Sequence, residues 1–269
     1  MFWMGDWYKY LAENGWKGLA NATFSNYTPA YLYLLWFSTL FSRWIDPLVS
    51  LKIIPTIFDL VSMTCIFLMA RLRFKADEPY LFAAAFFFLP TVMVNSTGWG
   101  QIDSIYTSFL LVCTYLLLKE KPLWALVAYG LAFSFKAQAI FFLPFLGIMF
   151  LKGKIVWYHF LVVTLVYLVL GIPAMLIGRS WESIVSLSVG QVDQFQELAK
   201  NAPNLYMFIS DDYYPTVVKV GMIVFVAVMA WWAWKNWNAK IHLTKSRIVL
   251  TALTSLALVP FLLPKMHER

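Results

Sequence analysis

Charged side chains are few in this sequence: 13% of 269 residues, against about 25% in a soluble domain. That shortage excludes a water-solvated globule. Cysteines are scarcer still. Cys65 and Cys113 are the only two, and both fall inside apolar runs, which excludes a disulfide framework and a paired metal-thiolate site. The N-terminus lacks an apolar core followed by small residues, so no cleavable signal peptide is expected. Phosphate-cradling glycine loops, zinc-ligand spacings and nucleophile elbows are also missing. What the chain has instead is 61% apolar residues, 19% aromatics and 13 Trp. The Trp and Tyr clusters sit at the edges of apolar runs, where amphipathic rings prefer the headgroup level of a bilayer. The formal charge of +7 accompanies no nucleic-acid recognition fold, so no nucleic-acid partner is expected.

Apolar runs bounded by charges or turn residues give about eight spans. They lie near Lys52–Ala70, Tyr80–Val94, Ser104–Leu118, Leu123–Phe135, Ala137–Leu151, Val156–Ile177, Thr216–Trp234 and Ile248–Leu263. Only Lys136 and Gln138 interrupt Leu123–Leu151. A single span of that length would overshoot a hydrocarbon core of about 30 Å, so two segments meeting near Lys136 are predicted. The predicted fold is all-α, a polytopic transmembrane helical bundle forming a single membrane domain. Residues 1–51 make an extracytoplasmic segment, 52–263 the bundle and 264–269 an extracytoplasmic end. Thr28-Pro29 supplies a helix start for the apolar run Pro29–Phe41, which reads as an interfacial helix.

Basic residues segregate. Connections after alternate spans hold Arg71, Arg73, Lys75, Lys119, Lys121, Lys152, Lys154, Lys235, Lys240, Lys245 and Arg247 against the acids Asp77, Glu78 and Glu120. The positive-inside rule makes that side cytoplasmic. The opposite side gathers the N-terminal segment, the loop Asn95–Asp103, the Lys136 tip, the long loop Gly178–Pro215 and the C-terminal Pro264–Arg269.

The loop Gly98-Trp-Gly-Gln-Ile-Asp-Ser104 carries the most information. Trp99 offers a face for a sugar ring, while Gln101 and Asp103 bind hydroxyls or a metal; the plainer role for Asp103 is to complement a helix N-terminus. Lys136, with Gln138, is an ammonium at an apolar edge, where it either snorkels to water or neutralises a lipid phosphate. Lys265, His267, Glu268 and Arg269 bring cations, an imidazole and a carboxylate within five residues. Asp59 lies inside the first span, where a carboxylate must be paired or part of a pathway. Asn26 and Tyr27 read as a turn or as polar lining. Asp211-Asp212 and Asp193 with Glu197 read as solvated surface.

Together, Phe24–Pro29 with Tyr31–Leu35, Gly98–Ser104, Phe135–Ala139 with Leu143-Pro144, and Leu263–Arg269 resemble the GT-C class of membrane glycosyltransferases. The nearest resemblance is to bacterial proteins related to the second mannosyltransferase of GPI-anchor assembly. It implies inverting transfer of a hexose, mannose first, from a polyprenyl-phosphate sugar to a lipid, glycan or protein acceptor. An outer-loop carboxylate would serve as base, and membrane lipids would be the remaining partners. It also implies a multi-pass protein of the bacterial plasma membrane with its site facing outside. Relatives carry an essential acid shortly before a Trp-Tyr pair matching Trp7-Tyr8; here Asp6 is the acid nearby, and it joins Asp103 as a catalytic candidate. Relatives also begin with a further span and continue past the motif ending at Arg269, so a chain shortened at both ends is expected. No organic cofactor is implied, and magnesium or manganese stays open as a companion to the acids. A transporter or lipid flippase is the competing reading, since polar groups between spans also mark substrate pathways; an inactive membrane fragment is the third.

Overall fold

The computed structural model describes residues 2–190, 197–200, 202–238 and 243–267. The chain forms two compact units, Met1–Ala139 with Tyr158–Gln191, and Ile140–Trp157 with Val192–Arg269. Twelve α-helices occur among the described residues, joined by short 3-10 and π turns.

In the first unit, the segment before the first predicted span folds onto itself. Helix α1 (Phe2–Asn14) buries Trp7, Tyr8 and Leu11, and α2 (Pro29–Thr39) buries Tyr31, Leu32 and Leu35 in the same apolar cluster. Helix α2 starts at Pro29 as predicted, with Thr28 extended before it. The Thr28 hydroxyl does not cap the helix. It donates to the Ser134 carbonyl at 2.6 Å and lies 3.4 Å from the Phe135 carbonyl, so it fixes the end of another helix. The first two turns of this expected interfacial helix are enclosed by α1 and by α3, α7 and α9 of the bundle.

Helix α3 (Pro47–Ala70) has a clear start: the Asp46 carboxylate accepts the Leu48 N–H at 2.8 Å and Pro47 takes the first helical position. Buried Asp59, inside α3, lies beside the Ser96 side chain, a neutral neighbour in the same unit. Helices α4 (Glu78–Phe87) and α5 (Pro90–Met93) follow, the latter running on through a π turn to Gly98; the break at Pro90 bends this pair by 45°. Helices α6 (Asp103–Leu118) and α7 (Pro122–Phe135) lie side by side, with α6 also against α3. Helix α8 (Leu143–Leu151) belongs to the second unit. The first unit resumes with α9 (His159–Leu176), which lies along α7, and α10 (Trp181–Gly190).

A side chain from α2 repairs α9. Pro173 interrupts the ladder of α9, and the Tyr33 hydroxyl stands in the gap one residue later: it accepts the Ala174 N–H at 3.1 Å and donates to the Leu170 carbonyl at 2.8 Å. Those two groups would otherwise bond each other, and in a bilayer neither can turn to water.

In the second unit, α11 (Tyr214–Asn238) and α12 (Lys245–Leu262) rest against α8. The Thr244 hydroxyl caps α12 by accepting the Arg247 N–H. The Tyr206 hydroxyl and the Asn204 amide donate to the carbonyls of Leu262 and Leu263, each at 3.1 Å, which satisfies the end of α12. A parallel bridge joins β1 (Ala199–Lys200) to β2 (Met266–His267), and the Asp211 carboxylate, read as solvated, accepts the Leu198 N–H at 2.7 Å. A groove of about 490 Å³ between α8 and α11 is lined by apolar side chains including Pro144, Phe150, Phe225 and Met229.

All eight predicted apolar segments are helical. Among the described residues, four helices are long and apolar enough to cross a membrane alone, and the bent α4–α5 pair makes a fifth. The three others, Asp103–Leu118, Pro122–Phe135 and Ala137–Leu151, are shorter. At 1.5 Å per residue, α6 reaches ~24 Å and α7 ~21 Å, short of a 30 Å core. Large apolar side chains stay exposed on the long helices: Ile223 at 69%, Leu161 at 60% and Leu250 at 63%. Water would penalise such surface, and lipid does not.

Helices α7 and α9 approach at Gly130, where an added Cβ would lie 3.0 Å from Val166 Cβ and 3.2 Å from Val163 Cα. Gly130→Val should therefore push the two helices apart and cost about 1–3 kcal/mol. The check is thermal unfolding in detergent, where a lowered Tm is expected and an unchanged Tm contradicts this packing.

Candidate functional site

The most informative loop of the sequence ends at a buried ion pair. From Asn95 to Gln101 the backbone is stitched by the amides of Trp99, Gly100 and Gln101, which donate to the carbonyls of Val94, Ser96 and Asn95. That arrangement sets Asp103 as the first residue of α6, with Ile102 before it at the cap position. The Asp103 carboxylate makes no capping bond. It pairs instead with the Lys136 ammonium, a contact across 33 residues of chain.

Lys136 is placed from the other side. Helix α7 ends at Phe135, and Lys136 is extended, with its N–H donating to the Ala132 carbonyl at 3.0 Å. The Thr28 hydroxyl holds the Ser134 carbonyl two residues earlier, so α2, α6 and α7 jointly position the pair. The ammonium also lies 5.6 Å from the centre of the Tyr106 ring, on whose face a cation is attracted. Burial works to lower the Lys136 pKa, but the Asp103 carboxylate, with Tyr27 and Tyr106, outweighs it and raises the pKa above the ordinary lysine value. The pairing thus favours the charged form of Lys136. Its side chain is only 5% exposed, whereas Asp103 is 17% exposed, so the carboxylate is the member open to a visitor.

Unsatisfied acceptors flank the pair in sequence. The side-chain oxygens of Gln101 and Gln138 and the Ser104 hydroxyl are buried and lack a partner. Such groups cost free energy unless something binds them. Tyr27 is buried, edge-on to Trp7 at 5.2 Å between ring centres, and Asn26 beside it is exposed. Trp99 is 53% exposed, with its indole open. Asp6 is exposed on α1.

The C-terminal cluster lies in the other unit. Lys265 has positive φ (68°), donates its N–H to the Leu198 carbonyl at 2.8 Å and holds its ammonium 5.9 Å from the centre of the Tyr214 ring. His267 pairs through its backbone with Lys200, while Glu268 and Arg269 lie outside the described residues, as does Asp193. Among the described residues, no three His, Cys, Asp or Glu side chains converge. With Asp103 already on an ammonium, the described residues do not fit a magnesium or manganese site.

Two features escaped the sequence. Lys136 was expected to snorkel to water or to neutralise a lipid phosphate, but its resting partner is Asp103. Arg179, just beyond α9, was not singled out, yet it is 3% exposed and none of its three guanidinium nitrogens has a hydrogen-bond partner. The available signal was an arginine on the side where the positive-inside rule leaves cations few.

These helices and their lipid-facing surface define an integral, multi-pass, all-α membrane protein of GT-C-like architecture. The sequence profile of glycosyltransferase family 87 matches residues 24–260, and the chain belongs to that family. It is a glycosyltransferase, which sets aside the transporter reading. Neither the curated proteins nor the solved structures contain a match to the chain.

Removing one member of a buried pair leaves the other charge uncompensated, at a typical cost of 3–5 kcal/mol. Because Asp103 keeps some exposure, Lys136→Met should cost about 3 kcal/mol, the low end of that range. Lys136→Arg, which keeps the charge, should cost much less. Unfolding in detergent gives the comparison; equal stability of Lys136→Met and wild type would mean the pair contributes nothing.

Proposed function

We propose that this family 87 member transfers a hexose, with mannose the first candidate, from a polyprenyl-phosphate donor to a lipid, glycan or protein acceptor outside the cytoplasm, with inversion. The observation that carries the reading is the Asp103–Lys136 pair, which sets a partly open carboxylate against a buried ammonium. A lipid-borne sugar phosphate suits a chain whose long helices expose apolar surface.

The chemistry needs two charges in one place. In a single displacement, the acceptor hydroxyl gives its proton to Asp103 while its oxygen bonds to the anomeric carbon. The bond from that carbon to the phosphate oxygen breaks, and the phosphate leaves with the electron pair toward Lys136. Donor phosphate competes with Asp103 for Lys136, so the carboxylate becomes free to act as base only when donor is present. Gln101 and Gln138 would take sugar hydroxyls on their unpartnered oxygens, and Trp99 would stack on the ring. Asp6, Asn26 and Tyr27 stay in the proposal as acceptor-side or donor-side groups. The site would face the outside of a bacterial plasma membrane, as the basic loops suggest.

The test is radiolabelled hexose transfer in proteoliposomes. Polyprenyl-phosphate hexose should be used and nucleotide hexose should not; use of the nucleotide sugar alone would overturn the donor assignment. Asp103→Asn should lower the maximal rate by about 10²- to 10⁴-fold, as loss of a general base does. A rate within twofold of wild type would remove Asp103 from the chemistry.

A further inference from the structure

The connection between α10 and α11 carries an apolar tip. Its 3-10 turn, Leu205–Phe208, exposes Leu205, Met207 and Phe208, the last at 85%, and Ile209 after it is exposed as well. Side chains three apart in such a turn lie in line, so Leu205 and Phe208 share one side. Asn204 and Tyr206 are buried and close the backbone. The Asn204 side chain accepts the Tyr206 N–H at 3.0 Å, and the Tyr206 carbonyl accepts the Ile209 N–H at 3.1 Å. A turn that satisfies its own amides can leave water. The chain then becomes polar at once: the Ser210 hydroxyl donates to the Asp212 carboxylate at 2.8 Å, and Asp211 and Asp212 are exposed.

Contacts within the second unit give the level of this tip along α11. At the start of α11 the Lys265 ammonium lies 5.9 Å from the centre of the Tyr214 ring, and Tyr213 is exposed. Tyrosines beside a cation mark the headgroup level of a span. The Tyr206 hydroxyl reaches α11 deeper, at Gly221, where an added Cβ would lie 2.5 Å from it. Gly221 is two turns into the helix, ~10 Å from Tyr214 at 1.5 Å per residue. The same hydroxyl donates to the Leu262 carbonyl in the last turn of α12. The tip therefore lies along the flanks of α11 and α12, two helices each long and apolar enough to cross a membrane, and not beyond their ends. Around Gly221, Val220, Ile223 and Val224 are exposed too, so the tip continues a surface that α11 already gives to lipid.

We propose that the Leu205–Ile209 tip is inserted in the bilayer leaflet around the start of α11, with Leu205 and Phe208 among the acyl chains next to the headgroups. Lipid covers an apolar face that water would penalise. The partner is the apolar layer and not a headgroup charge, because the charged residues that follow the tip, Asp211 and Asp212, are acids that an anionic lipid repels. Seating the tip also fixes the end of α12: the Asn204 amide donates to the Leu263 carbonyl at 3.1 Å, and the Leu198 carbonyl accepts the Lys265 N–H at 2.8 Å. The inference rests on the membrane setting and not on the transfer reaction, so a catalytically silent chain would be seated in the same way.

The experiment attaches a nitroxide to Phe208→Cys, to Leu205→Cys and, as the aqueous reference, to Asp212→Cys, each in the full chain with Cys65→Ala and Cys113→Ala, in phosphatidylcholine vesicles. Accessibility to oxygen, which concentrates among acyl chains, is compared with accessibility to a water-soluble nickel chelate. The oxygen-to-nickel ratio should be about fivefold higher or more at Phe208 and Leu205 than at Asp212. All three sites carry the same label, so the label's own affinity for lipid cancels in the comparison. Should one label disturb the fold, the other reads the same depth, because the two side chains share a side. A ratio at Phe208 and Leu205 no higher than at Asp212 would overturn the proposal. Replacing about a third of the lipid with phosphatidylglycerol should leave the ratio at Phe208 within twofold; a high ratio found only with the anionic lipid would contradict apolar insertion. Spin–spin broadening that disappears on dilution with unlabelled chain would put a second copy on the tip and would also overturn the proposal.

Discussion

An ammonium at the end of an apolar helix cannot stand alone, and the candidate site is built around how Lys136 is compensated. Its partner is the carboxylate at the first turn of α6, so the end of α7 and the start of α6 are tied by charge as well as by packing. The tie has support behind it: the Thr28 hydroxyl secures Ser134, and the Tyr106 ring backs the ammonium. In a low-dielectric setting such a pair is costly to break and contributes little if replaced whole by apolar groups. Its value therefore lies in what it poises. Two opposite charges lie in contact, one of them partly open, at the end of a loop that also carries an exposed indole.

Most of the helical framework was legible from hydropathy alone, because apolar runs in lipid must be helical to satisfy their own backbone. The break at Lys136 was legible for the same reason, since an uninterrupted helix through it would overshoot the bilayer. Pro29 as a helix start was readable from Thr28-Pro29, but the destination of the Thr28 hydroxyl, more than a hundred residues away, was not. Hydropathy does not give helix length: α6 and α7 are largely apolar yet shorter than the helices that could cross a full core unaided. Nothing in local pattern pairs Asp103 with Lys136, because helix-start acids and snorkelling lysines look ordinary when read apart. The Tyr33 repair of α9 and the stranded Arg179 are likewise tertiary facts, produced by which side chain happens to face which gap.

Family membership and architecture agree on a membrane glycosyltransferase, and two cations, Lys136 and Arg179, are buried among the described residues. Lys136 is neutralised at rest and Arg179 is not, so the two differ in kind. A cation already paired must exchange partners before it can meet a leaving group. That division follows from burial and geometry and does not depend on which sugar is carried.

The most direct test of this account is a double-mutant cycle on the pair, with Asp103→Asn, Lys136→Gln and the double variant compared by reversible unfolding in one detergent. Contacting charges should show a coupling of about 0.5–3 kcal/mol, with the double variant more stable than the single losses added together. Additive losses, with no coupling, would mean that Asp103 and Lys136 do not hold each other and would contradict the account.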